Sequence, residues 1–98
     1  MTIIHLKDTM NKQNWVVYIV QCADGTLYTG CTNDLESRLL AHNQGDGAKY
    51  TRGRIPVKLK YSKKCTSRSE AQHLEYEIKQ LPRKEKEELL VASNSPTP

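Results

Sequence analysis

Hydrophobic and polar positions alternate with different periods along the chain, and the changes of period predict its elements. Two runs, 15–21 (WVVYIVQ) and 26–31 (TLYTGC), are rich in β-branched and aromatic residues and flank a turn signal at 23–25, which predicts a hairpin. Further on, VKLKY at 57–61 alternates apolar and basic residues with the period of a strand that has one basic face.

Three other segments carry apolar residues at helical spacing. The first, 32–43, contains a leucine stripe and either Thr32 or Asn33 as its cap. A glycine-rich loop follows it, and a second helix begins at Ser67, which forms a capping box with Glu70. Pro82 ends that helix and opens a third. The order strand, strand, helix, strand, helix, helix predicts a small α+β domain with a mostly antiparallel sheet.

Composition predicts one domain over 15–91, a flexible leader over 1–14 and a disordered tail over 92–98. No apolar run approaches the roughly 18 residues of a membrane helix, and the N-terminus has no secretory signal pattern. The chain has three cysteines, Cys22, Cys31 and Cys65, in no zinc-binding spacing. They are expected to be free thiols, mostly small buried hydrophobes, and we predict a cytoplasmic protein.

Two tyrosines of the hairpin, Tyr18 and Tyr28, share a face only in one of two registers. A two-residue turn would place them on opposite faces. A three-residue turn, with Gly25 left-handed in a bulge, would pair Val20 with Tyr28 and Tyr18 with Gly30. Both phenols would then point the same way, opposite a uniformly apolar face suited to the core. The apolar pattern favours this second register without excluding the first.

Three polar residues fall beside buried stripes of the predicted helices. Arg38 and His42 lie one turn apart at the border of the leucine stripe. Arg38 could cover the core with its stem, and His42 could be an ordinary boundary histidine. Glu75 falls on the side of its helix that should meet the sheet, where a carboxylate needs a partner. It could bind Mg²⁺ with several waters, or it could pair with an arginine or lysine.

The segment from 49 to 69 contains eight of the fifteen basic residues and no acidic residue. Such a stripe, interleaved with tyrosines, suits a phosphate backbone and predicts a nucleic-acid partner. The net charge of +4 is in keeping with a polyanionic ligand. The candidate nucleic-acid-binding residues are Lys49, Tyr50, Arg52, Arg54, Lys58, Lys60, Lys63 and Lys64. Arg68 is the eighth basic residue of the segment.

VVY at 16–18 and YTG at 28–30 resemble the two half-motifs of the GIY-YIG nuclease superfamily. The ordered series Tyr18, Tyr28, Arg38, His42 and Glu75 is similar to that family's catalytic series in residue type and spacing. The resemblance covers nearly all of 15–91 and is closest to the small stand-alone bacterial proteins of the YhbQ-like group. It implies a three-stranded antiparallel sheet flanked by helices, and metal-dependent hydrolysis of a phosphodiester.

The resemblance also implies roles for these residues. Tyr18 and Tyr28 would line the site, one of them helping to deprotonate the attacking water. Arg38 would bind the scissile phosphate, His42 would assist proton transfer, and Glu75 would bind a single Mg²⁺ or Mn²⁺. A phenol, with its ordinary pKa of about 10, needs nearby positive charge to act as a base at neutral pH. No small-molecule cofactor and no membrane are expected.

The chain departs from the family pattern at three places. Valines at 16 and 17 replace Gly-Ile, Cys31 stands where DNA-repair members carry a lysine, and the only asparagine after Glu75 is Asn94 in the predicted tail. Two functions therefore remain open. One is an endonuclease acting on DNA, and the other is a nucleic-acid-binding module of the same fold with little or no activity.

Overall fold

The computed structural model describes residues 14–94, which form one three-stranded sheet and three helices. The elements in chain order are β1 (Trp15–Gln21), β2 (Leu27–Thr32), α1 (Leu35–Asn43), β3 (Lys58–Cys65), α2 (Arg68–Lys79) and α3 (Arg83–Asn94). The strands are antiparallel, with β1 in the centre and the order β2-β1-β3. The predicted α+β class, element order and antiparallel sheet are confirmed. The predicted leader lies outside the described residues except for Asn14, and α3 extends into the range predicted as a tail.

The β1–β2 turn contains three residues, so the second of the two registers is the observed one. Cys22 N–H donates to Thr26 O at 2.8 Å, and Gly25 has a φ of +87°. Glycine adopts this left-handed conformation without the steric cost that other residues meet. Tyr18 is consequently opposite Gly30 in the ladder, and Tyr28 is opposite Val20. The two-residue alternative is wrong.

Both faces of the sheet are buried, whereas the sequence analysis assigned the core to one of them. Val17 and Ile19 pack with Ala71 and Ile78 of α2 in a first cluster. On the opposite face, which we call the tyrosine face, Tyr18 and Val20 form a second cluster with Cys22 and Val57, against which Tyr28, Leu35 and Leu39 pack. A continuous apolar run such as VVYIV is typical of a strand covered on both sides. Helix α1 and the loop after it therefore cover the tyrosines.

Helix α1 begins later than predicted, and its cap is Asp34 in place of Thr32 or Asn33. The Asp34 carboxylate accepts from Ser37 N–H at 3.2 Å, a short-range bond typical of an N-cap. Thr32 is still part of β2, and its hydroxyl accepts from Asp34 N–H at 3.1 Å. Because β2 extends through Thr32, the helix can start only after Asp34.

Helices α2 and α3 begin at the predicted signals. The Ser67 hydroxyl accepts from Glu70 N–H at 3.1 Å, as in a capping box. The Glu70 carboxylate reaches one residue further back than the motif requires and accepts from Thr66 N–H at 2.6 Å. Pro82 precedes α3, and its carbonyl accepts from backbone N–H groups of the first turn. Within residues 14–94, no helix is long and apolar enough to span a membrane.

Strand β3 is longer than the predicted 57–61 and contains an irregularity in its pairing with β1. Val20 pairs with Leu59, but the neighbouring Ile19 pairs with Tyr61. Lys60 is the extra residue, and a bulge of this kind shifts the alternation of side chains. Leu59 and Tyr61 therefore face opposite sides of the sheet, and the single basic face predicted for this strand is not formed.

Candidate active site

Helix α1 directs Arg38 and His42 toward the phenol of Tyr18. Tyr18 is 1% exposed and His42 is fully buried. The Tyr18 Oη atom lies 2.9 Å from His42 Nε2 and accepts from Arg38 Nε–H at 3.4 Å. Arg38 and His42 lie one turn apart on α1, and the hydroxyl group of Tyr18, from β1, joins them.

The orientation of His42 depends on Thr51, a residue that no sequence pattern indicated. Thr51, in the loop between α1 and β3, is fully buried. Its hydroxyl donates to Ala48 O at 3.1 Å, so it accepts from His42 Nδ1–H, 2.8 Å away. The proton of the neutral imidazole is then on Nδ1, and Nε2 carries the lone pair that accepts from the Tyr18 hydroxyl. Thr51 thus orients the histidine with its accepting nitrogen toward the tyrosine.

Two glycines make room for these rings. A Cβ atom at Gly30 would lie 2.6 Å from Tyr18 Oη and 2.8 Å from Tyr18 Cζ. A Cβ atom at Gly47 would overlap the imidazole of His42. The glycine of the YTG motif is therefore a packing requirement, since the Tyr18 ring lies across the backbone of β2.

Burial favours the neutral forms of Tyr18 and His42, whereas Arg38 keeps its charge. Burial raises the pKa of Tyr18, and the adjacent Arg38 partly opposes that shift. Burial, and secondarily the charge of Arg38, lowers the pKa of His42 below its usual value. The hydrogen bond to Tyr18 raises the pKa of Arg38, which remains charged. At neutral pH the site therefore holds a neutral phenol, a neutral imidazole and one fixed positive charge.

Tyr28 lies next to Tyr18 on the more open side of the site. Its ring centroid is 6.5 Å from that of Tyr18 and 5.5 Å from that of His42. Tyr50 stacks on Tyr28, with centroids 5.8 Å apart and an interplanar angle of 24°. The three-residue turn therefore brings both phenols into one aromatic group, as the favoured register predicted.

Tyr50 is in turn held by Arg54, whose guanidinium carbon lies 4.2 Å above its ring. Arg54 also donates to the carbonyl of Tyr50, at 2.6 Å, and forms an ion pair with Asp24 of the hairpin turn, at 2.9 Å. Both residues were predicted to contact nucleic acid. The acidic partner of Arg54 thus comes from outside the segment 49–69, which contains no acidic residue.

Glu75 lies on α2, which packs against β1 and β2. Its side chain is 20% exposed, and Lys79 Nζ lies 2.6 Å from its Oε2 atom. Its negative charge is one of the smaller causes that raise the pKa of Tyr18. Burial and the neighbouring Glu75 raise the pKa of the Cys31 thiol to about 11, so that this side chain is neutral. The sequence left open an arginine or lysine partner for Glu75, and in the structure that partner is Lys79.

The donor set around Glu75 suits only a cation that keeps most of its water. Among residues 14–94, no three histidine, cysteine or acidic side chains cluster as a metal cage. Mg²⁺ is often held by one or two carboxylates, with waters and substrate phosphates completing its shell. A single hard oxygen donor such as the Glu75 carboxylate is compatible with such an ion.

Comparison with known proteins shows the family of this chain. The family model described as the GIY-YIG catalytic domain matches residues 14–88. The chain belongs to the GIY-YIG family. The UPF0213 protein of Halobacterium salinarum is 56% identical over 73 residues, which are 74% of this chain and 95% of that protein. The UPF0213 protein of Clostridium perfringens is 57% identical over 74 residues, 76% of this chain and 80% of that protein.

A solved structure also matches this GIY-YIG domain. The solution structure of a UPF0213 protein from Bacillus halodurans has a TM-score of 0.55 and 45% identity. It covers 84% of this chain and 87% of that one. The family suggested by the ordered series of five residues and the fold predicted from the element order are thereby confirmed.

The basic residues of this GIY-YIG domain do not form one patch with the site. Lys63 is opposite Val17 in the ladder and Lys64 is opposite Val16, so the two lysines lie on opposite faces of the sheet. The remaining candidates are divided between the loop and the start of β3. They are Lys49, Arg52 and Lys58, which are exposed, and Lys60, which is half-buried. All three cysteines are free, as expected.

Proposed function

We propose that this GIY-YIG domain is a divalent-metal-dependent endonuclease that hydrolyses phosphodiester bonds in DNA. The observation that carries the proposal is the position of the Tyr18 hydroxyl between Arg38 and the accepting nitrogen of His42. A structural tyrosine needs one hydrogen-bond partner when buried. Here the phenol has a donor on one side and an acceptor on the other, which is the arrangement of a proton relay.

In this proposal the attacking water gives a proton to Tyr18 Oη as the phenol gives its own to His42 Nε2. Burial raises the pKa of Tyr18, so a free tyrosinate is disfavoured at neutral pH. Transfer of the second proton to His42 means that the phenolate need not accumulate. Burial lowers the pKa of His42, and the neutral ring has its lone pair available. Such positioned acid–base catalysis typically contributes about 10²–10⁴-fold in rate.

Arg38 would serve both the phenol and the phosphate. Its Nε–H contacts Tyr18, and its terminal nitrogens would bind the oxygens of the scissile phosphate. As hydrolysis proceeds, negative charge builds up on those oxygens, and a fixed guanidinium in a partly buried site stabilises it. After burial, the same charge lowers the pKa of His42, so that the imidazole is neutral and its lone pair is free before the reaction begins.

Glu75 would hold one Mg²⁺ or Mn²⁺ in this proposal, replacing its contact with Lys79. When bound, such an ion acts as a Lewis acid toward the phosphate oxygens and the leaving group. The carboxylate is partly buried near both Cys31 and Tyr18, which favours a cation as its partner. Lys79 can turn away because its side chain is 47% exposed.

The proposal is tested with purified protein, labelled single-stranded, duplex, nicked and branched DNA, and Mg²⁺ or Mn²⁺. We expect wild type to cut at least one form, and Tyr18→Phe and Glu75→Gln to lose most of the rate. Tyr76→Phe is the matched control, because Tyr76 is 65% exposed on α2. Equal products from wild type, Tyr18→Phe and Glu75→Gln on every DNA form would refute the catalytic role of these residues.

The alternative function, a binding module with little activity, has one observation in its favour. Lys79 already neutralises the Glu75 carboxylate at 2.6 Å, as a purely structural ion pair would. Salt-dependent DNA binding by wild type, with no cleavage in any metal, would support the module over the nuclease. Cleavage abolished by Glu75→Gln would exclude it.

A further inference from the structure

Lys63 and Lys64, neighbours in the basic segment 49–69, lie on opposite faces of the sheet. In the β1–β3 ladder, Lys64 is opposite Val16 and Ser62 is opposite Tyr18. Residues directly opposite in an antiparallel pair point to the same face. Lys64 and Ser62 therefore belong to the tyrosine face. Lys63, opposite Val17, belongs to the face that α2 and α3 cover.

A groove of about 570 Å³ lies beside Lys64 on the tyrosine face. Its walls come from the sheet, through Ser62 and Lys64, and from Asn14 and the segment 33–35 at the start of α1. It adjoins the candidate active site at two points. Ser62 is the cross-strand neighbour of Tyr18, and Leu35 packs against the cluster that contains Tyr18.

Four of the seven lining residues carry hydrogen-bond donors, and two, Val16 and Leu35, are apolar. Lys64 contributes an ammonium group, Ser62 a hydroxyl, and Asn14 and Asn33 their amides. The single acidic residue in the lining, Asp34, caps α1, where its carboxylate oxygens accept from Ser37 N–H at 3.2 Å and Ser37 Oγ–H at 3.0 Å. Such a lining suits phosphate and sugar oxygens, which need donors and one positive charge.

We infer that this groove binds the sugar–phosphate backbone of the DNA strand next to the scissile bond, with Lys64 contacting a phosphate. The inference rests on the proposed function and makes it more specific, because it sets the direction in which the strand leaves the site. The strand runs from Arg38 past Ser62 toward Lys64, along the tyrosine face. Lys63 takes no part in binding, although it is adjacent in sequence and equally basic.

The test compares Lys64→Ala with Lys63→Ala, two exposed substitutions that remove the same charge. Binding of a fluorescein-labelled single strand is followed by anisotropy in EDTA, at several salt concentrations. We expect Lys64→Ala to weaken binding several-fold and to reduce the slope of log K against log salt by about 0.7 unit, the value for one phosphate contact on a single strand. Lys63→Ala should leave the slope unchanged, and Lys64→Arg should restore it. Thermal unfolding checks that the variants remain folded.

Equal losses from both alanine variants, or a larger loss from Lys63→Ala, would overturn the inference. The assay contains no metal, so its outcome is separable from that of the cleavage assay. Wild type that cuts DNA while Lys64→Ala binds normally would refute the groove and leave the proposed nuclease intact. A slope change confined to Lys64→Ala, with no cleavage by wild type, would support the groove and refute the nuclease. No binding by wild type at low salt would refute the groove and leave the nuclease to the cleavage assay.

Discussion

Replacing Thr51 with valine removes one hydroxyl from a fully buried position while keeping the shape of the side chain. Two hydrogen bonds involve that hydroxyl, one from His42 Nδ1–H at 2.8 Å and one to Ala48 O at 3.1 Å. Ala48 O keeps a partner, since it also accepts from the backbone N–H of residue 51. The Nδ1–H group of His42 has no such replacement and would be buried without an acceptor.

The magnitude follows from that single orphaned donor. A buried polar group left without its hydrogen bond costs about 1–3 kcal/mol. We expect Thr51→Val to lower the free energy of unfolding by about this amount. His42 can avoid the cost by moving its proton to Nε2, but that nitrogen faces the Tyr18 hydroxyl. The bond between them would then reverse, and His42 could no longer accept the proton of the phenol.

Two measurements separate these outcomes. Urea unfolding gives the change in stability, and ¹⁵N NMR of the imidazole shows which nitrogen of His42 carries the proton. In wild type we expect the proton on Nδ1. Thr51→Val should lose stability, shift the proton to Nε2, or both, and should lose DNA cleavage. Thr51→Ser retains the hydroxyl and is the matched control, expected to remain close to wild type in the tautomer and in cleavage.

Thr51→Val protein that unfolds at the wild-type urea concentration, with the His42 proton still on Nδ1, would contradict this prediction. That result would show that the hydroxyl does not hold the ring. A stability loss with unchanged tautomer and unchanged cleavage would mean that Thr51 only supports packing of the loop.

Other predictions follow from the same geometry. Gly30→Ala should lower the free energy of unfolding by about 1–3 kcal/mol and abolish cleavage, because its Cβ would lie 2.6 Å from Tyr18 Oη. Gly53→Ala should change neither stability nor cleavage, because no heavy atom lies within 4 Å of its Cβ. Burial lowers the pKa of His42 in the folded protein. The stability that the neutral ring contributes is therefore complete above about pH 6.5 and is lost as the pH falls through the folded pKa. Urea unfolding at several pH values should show this loss in wild type and not in His42→Gln. Lys79→Ala should free the Glu75 carboxylate and tighten Mn²⁺ binding, measured by calorimetry, while changing the free energy of unfolding by no more than about 1 kcal/mol. Unchanged Mn²⁺ affinity would argue against Glu75 as the ligand.

The elements of this fold were predictable because their signals are local. The apolar run of β1, the serine cap of α2 and the proline before α3 each involve a few neighbouring residues. The errors arose where a distant contact shifted a boundary. Strand β2 extends to Thr32, which moves the cap of α1 to Asp34, and the bulge at Lys60 sends Leu59 and Tyr61 to opposite faces.

The candidate site was predictable as a set of residue types and less so as a structure. The order of the motif residues suggested which side chains belong together, and two registers of the hairpin remained possible. Thr51 had no signal, since a threonine in a glycine-rich loop is typical of an exposed turn. Arg54 likewise gave no sign of its partner, because Asp24 lies thirty positions away in the chain.

The sequence by itself determined where the strands and helices form and which chemical groups they carry, because periodicity and capping act over one or two turns of chain. It also carried the family motif. Only the tertiary structure decided that Tyr18 meets Arg38 and His42, that Thr51 orients the histidine, and that Lys63 and Lys64 face opposite sides. Those contacts depend on strand register and on the path of a loop, and a shift of one residue would reverse every side chain of a strand.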